Sequence, residues 1–126
     1  MTHTDSNGFA HQRLDAFRIA QELAVATVRL TETTPRGYAD LRDQARRSAL
    51  ATVRHIAEGA SRTSKADKRA RFVVARGEVA ELDATLETAQ RLELVEARSA
   101  SAARVLAARV GAMLTGLIRR LDSPPG

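Results

Sequence analysis

The sequence has no cysteine and no tryptophan, and its aromatic side chains are only Phe9, Phe17, Phe72 and Tyr38. Without cysteine, disulfides, thiolate metal sites and thiol catalysis are excluded. The three histidines, His3, His11 and His55, stand far apart. Long hydrophobic runs are also missing: the longest strongly apolar stretch without charge, Val110 to Ile118, has nine residues, about half of the roughly 20 that a membrane-spanning helix needs. Residues 1–15 are polar and lack the basic start and apolar centre of a secretory signal. The expectation is a cytoplasmic protein with no membrane partner.

What is present suits one compact domain. A chain of 126 residues with 44% hydrophobic and 28% charged residues is neither disordered by composition nor a membrane protein. Glycine and proline cluster outside the periodic stretches. The breaks fall at Thr34-Pro35-Arg36-Gly37, at Gly59 to Ser64, near Leu94 to Ala97, and in the tail from Ser123. A polar leader over residues 1–12, a helical domain over 13–122 and a tail over 123–126 follow.

Every stretch between these breaks reads as helix. Phe72, Ala75, Val79, Leu82, Leu86 and Ala89 alternate in steps of three and four, the spacing of one buried helical seam. Ser64 with Asp67 forms the N-cap pattern in front of it. The fourth segment carries Ala103, Leu106, Val110, Met113, Leu117 and Leu121, and the second carries Leu41, Ala45, Ala49, Thr52 and Ile56. The first, about Leu14 to Thr31, has two apolar series: Leu14, Phe17, Ala24, Val28, and Ala16, Ile19, Leu23, Leu30. One series can fill a core while the other meets a neighbouring subunit; one broad apolar face within the chain is the alternative. Short connections make an all-α, antiparallel up-down-up-down four-helix bundle the simplest assembly.

Such bundles can house di-iron centres, which need carboxylates on all four helices and Glu-x-x-His pairs on two. No histidine here follows a glutamate by three. His3 and His11 are expected to face solvent, and His55 the polar side of the second helix. Phosphate-loop, nucleophile-elbow and zinc-protease motifs are also missing. No catalytic residue, metal or cofactor is assigned.

Charge is unevenly distributed. The net charge is +5, with twenty Lys and Arg, which favours an anionic partner. Between Arg42 and Arg76 ten basic residues face three acids, whereas Glu78 to Glu96 holds six acids and only Arg91. Within the third helix this places bases before acids, opposite to the preference of the helix dipole. If the second and third helices turn near Arg62 and Thr63, Arg46 and Arg47 lie opposite Glu81 and form structural ion pairs. Glu58 is expected to pair with Arg62, four residues on. Arg54, Arg62, Lys65, Lys68 and Arg69 are left crowding the turn, a candidate phosphate-binding surface for RNA or DNA. The stretch 61–71 has no aromatic residue, so backbone rather than base recognition is expected there. The competing reading pairs these cations with acids of another subunit or of a partner protein.

Four stretches together resemble the 23S rRNA intervening-sequence protein family of bacteria: Gln44-Ala45-Arg46-Arg47-Ser48-Ala49, Ile56-Ala57-Glu58-Gly59-Ala60-Ser61-Arg62, Ala75-Arg76-Gly77-Glu78-Val79-Ala80-Glu81-Leu82 and Gly111-Ala112-Met113-Leu114-Thr115-Gly116-Leu117-Ile118-Arg119. The resemblance runs from about Leu14 to Leu121. It implies a non-enzymatic antiparallel four-helix bundle that assembles as a homopentamer. It also points to a related retroelement accessory protein that binds nucleic acid and a reverse transcriptase. Two positions depart from the family pattern: Val53-Arg54-His55 stands where Pro-Ser-Asn is usual, and Glu78 stands where Ser is usual. A non-enzymatic, nucleic-acid-binding homo-oligomer is thus expected, with a protein-interaction scaffold or accessory subunit as the alternative.

Overall fold

A computed structural model describes residues 9–123. His3, most of the expected leader and residues 124–126 of the tail lie outside the described residues. Four α-helices account for most of the described residues: α1 (Asp15–Leu30), α2 (Ala39–Ser61), α3 (Lys65–Arg91) and α4 (Ala97–Asp122), with short 3-10 turns at Ala10–Arg13 and Arg36–Tyr38. No strand occurs among the described residues. α2 packs on α3, α3 on α4, α4 on α1 and α1 on α2, so each helix meets two others around one core and the protein is a four-helix bundle.

The core is built from the seams that periodicity predicts, with one shift. In α3 the buried residues are Phe72, Ala75, Val79, Leu82, Leu86 and Ala89, the series read from spacing. In α4 they are Ala100, Ala103, Ala107, Val110, Leu114 and Ile118. The expected Leu106, Met113, Leu117 and Leu121 are only partly buried beside them. Apolar residues surround much of α4, so spacing alone leaves its phase open, and small alanines turn toward α3. Leu23, Ile56, Leu82, Leu86 and Leu114 are fully enclosed, each stabilising the fold by about 1.5–3 kcal/mol through lost apolar surface. Three buried threonines satisfy their hydroxyls locally, Thr27 Oγ1 donating to Leu23 O at 2.8 Å, Thr31 Oγ1 to Thr27 O at 2.7 Å and Thr52 Oγ1 to Ser48 O at 2.8 Å, whereas the buried Thr34 Oγ1 makes no hydrogen bond among the described residues.

α1 does not present two equal faces. Ala16, Ile19, Ala20, Leu23, Ala24, Thr27 and Leu30 are buried, while Leu14 and Phe17 pack partly against the same core. Both series, Val28 excepted, therefore feed one broad face. What remains outside is a narrow strip with Val25 49% and Val28 37% exposed. α4 is long and apolar enough to cross a bilayer, with a window of mean hydropathy 1.3. Its buried residues, from Ala100 to Ile118, are committed to the bundle core.

Gly59 does not end α2, as a sequence break at that position suggests; the helix runs on to Ser61. A Cβ on Gly59 would lie 2.7 Å from Phe72 Cε1 and 3.2 Å from Arg71 Cβ. The glycine thus permits close approach of α2 and α3. The break between α3 and α4 begins two residues earlier than expected, at Leu92. There Glu93 N–H donates to Gln90 O at 3.0 Å and Leu94 N–H to Ala89 O at 2.9 Å. This double closure requires a left-handed residue, supplied by Glu93 at φ 59°.

Candidate nucleic-acid interface

The connection from α2 to α3 is three residues long, from Arg62 to Ser64. Arg62 leaves α2 with extended backbone, φ −71° and ψ 154°. Ser64 caps α3, its hydroxyl accepting from Asp67 N at 3.0 Å, as the sequence pattern indicates. The expected Glu58–Arg62 ion pair does not form. Glu58 turns instead to Arg71 at 3.5 Å and Arg54 at 3.8 Å, so it joins α2 to α3 with two cations. His55 is also drawn inward: its side chain is 13% exposed, and its Nδ1, 3.8 Å from the Glu58 carboxylate, makes no hydrogen bond. His11 is not simply solvated either, since its ring packs between Phe9 and Phe17 at centroid distances of 5.9 and 4.6 Å.

The five cations proposed for phosphate contact divide into committed and free groups. Lys68 Nζ donates to Ala60 O at 3.0 Å, a cationic cap on the C-terminal carbonyls of α2. Arg69 Nε lies 2.6 Å from Asp122 Oδ1 at the end of α4. That hydrogen bond first, and then the carboxylate's charge, raise the Arg69 pKa above its ordinary value. Arg54 belongs to Glu58. Arg62 and Lys65 are exposed, and their side chains have no hydrogen-bond or ion-pair partner among the described residues.

The Arg69–Asp122 contact brings the last turn of α4 to this end of the bundle. Arg119 and Arg120 are exposed there, also without side-chain partners among the described residues. Charge counting along the chain misses both, because they lie more than fifty residues from the α2–α3 connection. The signal available was topological: a fourth helix returning to the turn between the second and third brings its basic terminus with it. The end thus gathers Arg62, Lys65, Arg119 and Arg120 around a capped helix start. Oriented backbone N–H groups and unpaired cations of this kind attract phosphate oxygens.

The expected pairs of Arg46 and Arg47 with Glu81 do not form. Arg46 is taken by the end of α1: its Nε donates to Thr31 Oγ1 at 3.0 Å and its Nη2 to Val28 O at 3.2 Å. Unsatisfied carbonyls and the negative helix terminus outcompete a carboxylate across the bundle. Arg47 donates to Gln44 Oε1 at 2.9 Å, and Gln44 Nε2 in turn donates to Glu81. Gln44 stands between the two charges. Among the described residues no three His, Asp or Glu side chains gather where they could hold a metal ion.

No curated protein matches the chain. Residues 12–116 do match the family described as 23S rRNA-intervening sequence protein. With this match covering most of the sequence and four helices packed as a bundle, the chain belongs to the 23S rRNA-intervening sequence protein family.

Proposed function

We propose that this protein is a non-enzymatic binding module that holds RNA or DNA by its phosphates at the end of the bundle formed by the α2–α3 connection and the last turn of α4. Its family is not a known enzyme family. The observation that carries the reading is the set of exposed cations Arg62, Lys65, Arg119 and Arg120, whose side chains have no partner among the described residues. Lys68, Arg69 and Arg54 contribute charge while holding the local structure. Phosphate contacts supply affinity without sequence information.

The helices alternate in direction, up-down-up-down. Support comes from pairings in which one partner advances as the other recedes: Gln44 with Glu81 and Glu58 with Arg71 across α2 and α3, then Arg69 with Asp122 and Asp83 with Arg104 across α3 and α4. The module is a homo-oligomer, five subunits being the number that the resemblance implies. The exposed Val25 and Val28 of α1, with Val105 of α4 at 61% exposure, are the apolar surface that assembly would cover.

Fluorescence anisotropy with labelled RNA and DNA at low salt, alongside light scattering, tests both parts. Binding of several unrelated sequences with similar affinity by a species larger than 13.7 kDa supports the reading. No binding at low salt removes nucleic acid and leaves a scaffold that engages a protein partner such as a reverse transcriptase.

A further inference from the structure

At the same end of the bundle, an apolar cavity of about 330 Å3 opens between the first 3-10 turn, α2, α3 and α4. Leu14, Phe72, Leu117 and Leu121 line it, and two cations, Lys68 and Arg120, line it with them. Its size lies at the lower end of the ~300–1,000 Å3 range of small-molecule sites. Lys68 is fixed in place by its bond to Ala60 O at 3.0 Å, which uses one of its three donors. Arg120 has no side-chain partner among the described residues. The nearby acid, Asp122, is engaged by Arg69.

Two cations beside one apolar cavity favour a ligand that is anionic at one end and apolar for the rest, because burial of the chain and neutralisation of both charges are then gained together. We propose that this cavity binds an anionic amphiphile: a carboxylate held by Lys68 and Arg120, with an alkyl chain lying against Leu14, Phe72, Leu117 and Leu121. A nucleic-acid strand offers no such apolar chain, so the site is additional to phosphate binding and stands even where that reading fails.

Titration calorimetry of the full chain with hexanoate, octanoate and decanoate, and with octan-1-ol as the uncharged control, tests the site. Affinity should rise about fourfold for each added methylene until the cavity is full. Octan-1-ol should bind at least tenfold more weakly than octanoate. Arg120→Gln, at an exposed position, should weaken octanoate at least fivefold while helicity is unchanged. Leu117→Trp, which fills the cavity, should abolish the dependence on chain length. No heat at millimolar octanoate, equal binding of octan-1-ol and octanoate, or an affinity independent of chain length overturns the proposal. So does an Arg120→Gln variant that binds octanoate like the unmodified protein.

Discussion

Replacing Gly59 by alanine tests the packing that positions the basic end. In the interior of a helix this exchange ordinarily stabilises by about 1 kcal/mol, since alanine is the better helix former. Gly59 lies inside α2, where that gain applies, but the new methyl would stand 2.7 and 2.8 Å from the Phe72 ring and 3.2 Å from Arg71 Cβ. Phe72 is 4% exposed, so its ring cannot swing clear, and Arg71 Cβ is tied to the backbone. Overpacking of a core costs about 1–3 kcal/mol, and two contacts under 3.0 Å place this site in the upper half of that range. The net expectation for Gly59→Ala is a loss of about 1–2 kcal/mol, read as a urea midpoint lower by roughly 0.5–1 M with the slope unchanged. Gly116→Ala is the control: α4 has open space there, and the same exchange should stabilise by about 0.5–1 kcal/mol. Phe72→Leu added to Gly59→Ala should show a favourable coupling of about 1–2 kcal/mol, because the two residues compete for one volume. If Gly59→Ala proves as stable as the unmodified protein, the close approach of α2 and α3 is refuted. Protein concentration must be held constant throughout, since self-association of the kind proposed would add to the measured stability.

Other substitutions separate the remaining contributions. Glu93→Gly should raise stability by about 1 kcal/mol in thermal or urea unfolding, because a left-handed backbone penalises a side chain there. Arg46→Ala should cost about 1–2 kcal/mol through loss of its bonds to Val28 O and Thr31 Oγ1, whereas Glu81→Gln should stay within about 0.5 kcal/mol, having no arginine partner to lose. Leu23→Ala should destabilise by about 2–5 kcal/mol as a fully buried deletion. Val28→Ser should leave helicity intact and lower the mass seen by light scattering if the α1 strip joins subunits.

How far the sequence discloses this molecule depends on the kind of interaction. The α3 seam was readable because one apolar series dominates that helix and its complement is charged, so spacing settles both the helix and its buried face. α4 was readable as a helix but not in phase, since apolar residues lie on neighbouring strips and only packing against α3 selects the alanines. Ser64 was readable because an N-cap is local. Arg46 was not, because its choice between Glu81 and the end of α1 depends on where a third helix terminates. Glu58 was not readable either, because its partner Arg71 is supplied by the neighbouring helix. The candidate site was half visible: Arg62 and Lys65 follow from the charge run, while Arg119 and Arg120 enter through the packing of α4.

The central claim is that free cations at one end of the bundle bind phosphates, and salt dependence measures this most directly. For duplex DNA, log Kobs should fall linearly with log salt, with a slope of about −0.9 for each phosphate neutralised. In the variant carrying Arg62→Gln, Lys65→Gln and Arg120→Gln, the slope should be shallower by about 2–3 and the affinity lower at every salt concentration. Helicity and oligomer mass should be unchanged, because all three side chains are exposed and have no partner among the described residues. A slope and affinity identical to those of the unmodified protein would contradict the account and place phosphate binding elsewhere on the molecule.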